Sequence, residues 1–454
     1  MTIQAIIKRS PIWLLAALLC VVFFTGGSTW ASEPQLMVLR PAALSAAAIA
    51  LITLSAADVK GHWIVIALFG AAVLLTALHL VPLPFDWWSS LPGRDVIVAI
   101  DAAVGLGPID RPLSMSPDAT LNALYSLCVP MAVLLLAIQL DEDGHRRLLL
   151  VLLALALLSA FFGLLQAAGS DVTFYPMQTE TSGLLANRNH QAALLAMILP
   201  LAAGAALAGP GGRRGQSWRG LAAATLGILV VPLVLVTGSR SGLVLLGLGI
   251  VFAGLIWLWG QPGRLTGWRA RLVDPIAFAG VIVALVAVTV MASRDKAIDR
   301  LSQEGEGLRW PVWQSILDML PTYMPWGTGI GSYVEAYQLL EPEALLRPTF
   351  SNHAHNEMLE IALTAGIPGL VLLALAGLGL VIGLTRAFSA KAAASASATL
   401  SRLGLGVIVL LVIASATDYP VRTPIMSAVL AIAAVWATLE VRPRAAEDER
   451  QSRS

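Results

Sequence analysis

Residues 147–168 read RLLLVLLALALLSAFFGLLQAA, and no charged residue follows Arg147 until Asp171. A hydrocarbon core about 30 Å thick calls for roughly 20 mostly apolar residues in a helix, because lipid offers no partner to backbone N–H and C=O groups. This stretch meets that requirement. Applied outward in both directions, the same ruler finds spans near 11–27, 40–57, 62–81, 121–140, 147–168, 190–209, 219–236, 241–259, 275–292, 358–385, 402–417 and 424–440. The first run follows Lys8 and Arg9 as a signal peptide would. It lacks a convincing small-residue cleavage site before Glu33 and leads at once into further spans, so it reads as a retained helix. The predicted fold class is all-α, a polytopic helical membrane protein of about twelve transmembrane helices forming a single integral-membrane domain over 1–454.

Composition agrees. Hydrophobic residues make up 57% of the 454 and charged residues 13%, against roughly 25% charged in an average soluble domain. The mean hydropathy is +0.77. Lys and Arg total 29 and Asp and Glu 28, a net charge of +1, so there is no basic field for a nucleic acid. Cys20 and Cys128 lie in apolar runs without metal-ligand or disulfide spacing.

Cytoplasmic loops carry the excess of Lys and Arg. With both termini inside, 18 of the 29 basic residues fall on inner segments and 11 on outer ones, five of the latter in a single long loop. Two outer segments are long, 82–120 and 293–357, the second between spans nine and ten. The inner connectors are short, and 441–454 forms a cytoplasmic tail, which leaves no room inside for a nucleotide-binding domain. Function is therefore expected on the outer face or within the membrane. Within the larger loop, Trp310, Trp313, Ile316, Leu317 and Leu320 recur at helical spacing, predicting an amphipathic helix over 309–320 that lies at the interface or packs on the bundle. Trp87 and Trp88 read as interfacial anchors.

Charge at a membrane edge is costly, so it marks candidate sites. Asn187-Arg188-Asn189-His190 stands at the mouth of span six, and the turn Thr237-Gly238-Ser239-Arg240-Ser241-Gly242 holds Arg240 before span eight. Ser351-Asn352-His353-Ala354-His355-Asn356-Glu357 leads into span ten, which contains Gly366-Ile367-Pro368-Gly369. All three clusters fall on outer connections. A planar guanidinium matches phosphate oxygens, so Arg188 with Arg240 suits a diphosphate. An imidazole such as His355 accepts a proton from a hydroxyl. Together these groups describe an alcohol displacing a diphosphate from carbon, with a lipid-linked sugar as donor.

The same residues carry a resemblance. The Asn187–His190 cluster, the Ser239-Arg240-Ser241-Gly242 turn, His355-Asn356 followed by Gly366-Ile367-Pro368-Gly369, and Pro325-Trp326-Gly327-Thr328-Gly329-Ile330-Gly331 in the long loop are similar to the O-antigen ligase and polymerase superfamily. Residues 112–120, PLSMSPDAT, resemble exopolysaccharide-type members, and the likeness extends over about 110–385. The resemblance implies a bacterial inner-membrane enzyme of the cell envelope. Without metal or other cofactor, such an enzyme transfers a glycan from undecaprenyl diphosphate to an acceptor hydroxyl at the periplasmic face. In ligases of lipopolysaccharide biosynthesis the acceptor is the lipid A core; in polymerases it is a second lipid-linked glycan. Carried over by position, Arg188 and Arg240 would bind the diphosphate and His355 would be the base or would orient the acceptor; these three are the expected catalytic residues, and Asn187, Asn189, His190, His353 and Asn356 are expected to bind substrate. Gly369 is followed by Leu370-Val371, where ligases often carry a threonine.

Bland readings stand beside these. Arg188 can snorkel to headgroups, Ser239 can cap span eight, and His353, His355 and Glu357 or Glu360 can be read as zinc ligands lacking an obvious further member. His190 reads as a partner that orients Arg188 or Asn187, and Glu335 and Asp318 as solvated charges unless one of them assists His355. The reading from another class is a secondary transporter or flippase, against which counts the near absence of carboxylates from the middles of the spans.

Overall fold

The computed structural model describes residues 3–176, 178, 181–208, 213–260, 309–348, 350–389 and 395–439. Among these, eight helices are long and apolar enough to cross a membrane: Leu36–Thr53, Pro117–Ala137, Glu142–Ala167, Arg188–Ala208, Gly215–Val236, Arg240–Trp259, Glu357–Ala387 and Ala396–Ser415. Pro11–Thr25, Trp63–Leu78 and Pro424–Ala437 are shorter apolar helices. Each coincides with an expected span. The expected span 275–292, the first part of the long loop at 293–308, and the tail 441–454 lie outside the described residues. The protein is an all-α, multi-pass membrane protein, and the described β structure is limited to the antiparallel pair Pro82–Leu83 and Arg111–Pro112.

Small residues set how the helices run. A Cβ on Gly242 would meet Ala192 Cβ at 2.5 Å, one on Gly249 would meet Ala196 O at 2.5 Å, and one on Gly260 would meet Leu207 Cδ1 at 2.5 Å. Helices Arg188–Ala208 and Arg240–Trp259 are therefore parallel and in close contact, starting at the same end of the bundle. Helix Ala396–Ser415 runs against them: Gly204 packs on Leu403, while Asn189 lies beside Asp418. At the far end, fully buried Arg402 donates to Ala387 O (2.8 Å) and Trp259 O (3.3 Å), satisfying carbonyls left open where two helices finish.

The segments expected outside the membrane form a second, smaller core. Helix Arg309–Tyr323 exists as predicted and buries Ile316, Met319 and Tyr323 against Tyr333, Tyr337, Ala354 and Leu363. Trp310 and Leu317, one helical repeat of seven apart, remain exposed on its other side. Trp88 corrects its sequence reading. It is 1% exposed and its indole donates to Pro112 O (2.8 Å), so it belongs to this outer packing; Trp87 alone keeps the exposure of an anchor.

The Pro325–Gly331 loop docks into a break in helix Glu357–Ala387. Gly366 has φ 59° and ψ −150°, which ends one helical stretch and frees its last carbonyls. Leu363 O and Thr364 O accept from Thr328 N (3.0 Å) and Gly329 N (2.8 Å), and Ile367 N returns a bond to Pro325 O (2.8 Å). The glycine-rich loop and the Gly-Ile-Pro-Gly motif are two halves of one joint. Buried Arg94 ties it to the 82–120 segment by donating to Leu113 O (2.8 Å) and Gly327 O (3.0 Å).

His79, 3% exposed, accepts from Ile330 N at Nδ1 (3.0 Å). Burial, and then the charge of Arg94, lowers its pKa to about 4. This hydrogen bond requires the neutral ring. A depressed folded pKa gives stability that is full above the unfolded value of 6.5 and lost as pH falls toward 4. Thermal melts of the detergent-solubilised protein are expected to show that loss in the wild type. His79→Asn, whose amide oxygen replaces Nδ1 but does not titrate, should show less of it; equal acid sensitivity of the two proteins would remove His79 as the cause.

Candidate functional site

Four helices begin and one ends around a buried carboxylate. Asp418 lies in the connection between Ala396–Ser415 and Pro424–Ala437, and Tyr419 N donates to its Oδ1 (2.9 Å). His355 Nδ1 lies 3.2 Å from Oδ1, Asn189 Nδ2 donates to Oδ2 (2.6 Å), His190 Nε2 stands 3.6 Å from Oδ1, and Arg309 stands 4.0 Å from Oδ2. Burial by itself would raise this carboxyl. The imidazoles of His190 and His355 outweigh it and hold Asp418 well below the usual carboxylate range.

Tyr419 forms the hub of the rings. Its centroid lies 4.2 Å from that of His353, 4.9 Å from His355 and 5.1 Å from His190. Its hydroxyl accepts from Asn352 Nδ2 (3.2 Å), and burial and then the charge of Asp418 push its pKa up to about 12. A second carboxylate braces the histidine-bearing turn. Glu360, 1% exposed, holds His353 Nδ1 (3.1 Å) and Arg422 (3.2 Å) at Oε1 and accepts from Ala354 N (3.0 Å) at Oε2.

His355 itself has φ 49°, the one positive φ on a non-glycine among the described residues. Such a backbone costs on the order of 1 kcal/mol and persists where its surroundings enforce it. Here it turns the ring toward Asp418 immediately before Asn356, whose side chain caps the next helix by accepting from Leu359 N (3.2 Å). His353 and His355 thus face two different carboxylates, Glu360 and Asp418.

Beside this network is a cavity of about 250 Å³, whose lining includes Asn187, Arg188, His190, Tyr419 and Thr423 together with Gly27, Trp30, Glu33 and Tyr175. Of the residues singled out in sequence, Asn187, Arg188 and His190 line the cavity, and His355 shares Asp418 and Tyr419 with His190. Asn189 is directed to Asp418, His353 to Glu360, and Asn356 caps a helix. His190 faces Asp418 and Tyr419, where orientation of Arg188 or Asn187 was expected. Arg240 is exposed at the start of its helix, on the same end of the bundle, with Ser239 capping by accepting from Gly242 N (3.0 Å). Asp318 and Glu335 are exposed.

The acid beside His355 is Asp418, which sequence reasoning passed over together with Tyr419 and the Glu360–Arg422 pair. One signal was available. Asp418 and Arg422 sit in the last of the connections expected outside, on the side where the sequence reading put the three clusters.

Fold and site together define a polytopic membrane protein with a histidine- and carboxylate-lined polar site, flanked by arginine, at one end of its helix bundle. Residues 224–374 match the O-antigen ligase family, Wzy_C. The match contains Arg240, His355 and the Gly366–Gly369 joint, and it bears out the resemblance to the O-antigen ligase and polymerase superfamily. It supports a membrane enzyme of that type. No curated protein matches the chain.

Proposed function

We propose that the protein is a multi-pass enzyme of the bacterial inner membrane, with both termini cytoplasmic, that transfers a glycan from undecaprenyl diphosphate to an acceptor hydroxyl at the periplasmic face. The acceptor is the lipid A core, as in O-antigen ligases. The observation that carries this reading is the juxtaposition of His355, paired to buried Asp418, with the cavity that Arg188 lines. His355 takes the proton of the acceptor hydroxyl as its oxygen bonds to the anomeric carbon. The carbon–oxygen bond to the diphosphate breaks, and the bonding pair leaves with the lipid diphosphate. Asp418 holds the imidazole in place and stabilises the charge it gains. Arg188 and Arg240 offset the charge growing on the leaving group, which counts most where water is excluded. The residues named serve this step without metal or other cofactor.

Arg240→Ala and His355→Ala are expected to insert and purify normally yet lower transfer by about 10²–10³-fold in a reconstituted assay. Near-normal transfer by either variant removes that residue from the mechanism. Product formed in detergent, without a sealed membrane, separates an enzyme from a transporter or flippase. A polymerase of the same superfamily acting on two lipid-linked glycans is the second reading, favoured by Leu370-Val371 after Gly369. Deletion separates the two: loss of a ligase leaves long lipid-linked chains unattached to core, whereas loss of a polymerase leaves single repeat units.

A further inference from the structure

One part of the cavity lining takes no part in the chemistry above, yet it is built rigidly. It is the turn between the first two apolar helices, backed by Tyr175. Gly26 O accepts from Ile425 N (3.0 Å), Gly27 O accepts from Ala186 N (2.9 Å), and Gly27 N donates to the Tyr175 hydroxyl (2.6 Å). A Cβ on Gly27 would stand 2.8 Å from that hydroxyl and 2.9 Å from Leu185 Cα, so no larger residue fits. The turn is thereby fixed to the segments on either side of the site. It presents Trp30 and Glu33 to the same cavity that Arg188 lines.

Trp30 meets Phe350 edge-on at 6.0 Å but remains 40% exposed, so much of its indole is free of packing. An aromatic face beside a carboxylate has a specific complement. The C–H face of a pyranose packs on an indole, and the hydroxyls at its rim donate to carboxylate oxygens. At about 250 Å³ the cavity lies below the roughly 300–1,000 Å³ of pockets that take drug-sized ligands, a size suited to a single ring. Because Arg188 lines the same cavity, the ring placed there is the one bonded directly to the diphosphate.

We propose that this cavity is a subsite for the first sugar of the lipid-linked donor, with Trp30 as its platform and Glu33 as a hydroxyl acceptor. The proposal rests on the donor reading above and adds a determinant of donor choice to it. The test measures binding of four probes to the full-length protein in detergent: undecaprenyl diphosphate bare, and the same carrier bearing one glucose, galactose or N-acetylglucosamine. At least one glycosylated carrier is expected to bind about tenfold tighter than the bare one, a difference of about 1.4 kcal/mol. Trp30→Ala should abolish that difference and leave affinity for the bare carrier unchanged; Glu33→Gln should reduce it. If the wild type binds all four probes equally, the subsite fails and the donor reading stands. If Trp30→Ala weakens bare and glycosylated carriers alike, Trp30 is a structural or membrane contact and the proposal is overturned. If none of the four binds, the donor reading fails and takes the subsite with it.

Discussion

Asp418→Asn is expected to leave a folded, monodisperse protein whose glycan transfer is slower by about 10²-fold or more, and Asp418→Ala to lose more still. The residue is 2% exposed, and its side chain gathers His355, Asn189, the Tyr419 amide and, at slightly longer range, His190 and Arg309. The amide retains an oxygen for Tyr419 N–H but gives up the charge that steadies a protonated imidazole. The alanine also strands Asn189 and the amide, and buried donors left unmade cost about 1–3 kcal/mol each. Comparing the two separates charge from scaffolding. Since the folded carboxyl is held well below the ordinary range, Asp418 remains ionised throughout pH 5–8. Its stabilising contribution is present above the unfolded pKa and is lost only as pH falls through the lower folded value. The deficit of the asparagine variant should thus persist across neutral pH. Transfer by Asp418→Asn within threefold of wild type would remove the carboxylate from the mechanism.

Gly366→Ala is expected to cost about 3 kcal/mol or more and to lower sharply the yield of monodisperse protein. Two causes add. The conformation at φ 59° and ψ −150° is one that only glycine adopts readily, and an added Cβ would stand 2.7 Å from Trp326 C and 2.8 Å from Gly327 N. Both neighbours are backbone atoms of the docked loop and cannot rotate away. Gly377 lies further along the same helix, and a Cβ there meets nothing within 4 Å. Gly377→Ala should be neutral or slightly stabilising, since alanine is the better helix former by about 1 kcal/mol. Melting curves of the two variants check the argument, and equal melting temperatures would show that the joint does not depend on Gly366. Because the joint sits on the helix that Asn356 caps, one residue beyond His355, its loss is expected to disturb the site as well.

The bilayer-spanning helices were legible because apolar length is a local property: a run such as 147–168 must be satisfied within itself wherever it lies. Helix Arg309–Tyr323 was visible through its periodicity, but the identity of its buried face was not, since Trp310 and Leu317 were counted with Ile316 and only Ile316 is covered. Trp88 failed for the same reason. A tryptophan pair after Pro84 looks alike whether it meets lipid or Pro112 O, and only the neighbouring strand decides.

The parity of the connections placed Arg188, Arg240 and His355 at a common end, and the contact of Ala192 with Gly242 agrees with it for the two arginines. Sequence by itself determined the fold class, the order of the spans and which turns carry charge against the grain of the membrane. Only the tertiary structure decided which groups meet. Asn189 and Asp418 touch across 229 positions, and the twist at His355 selects Asp418 as its acid over Asp318 or Glu335. The physical reason is that helix formation is settled by hydrogen bonds reaching four residues. A buried carboxylate is settled by whichever distant donors the packed helices bring within about 3 Å.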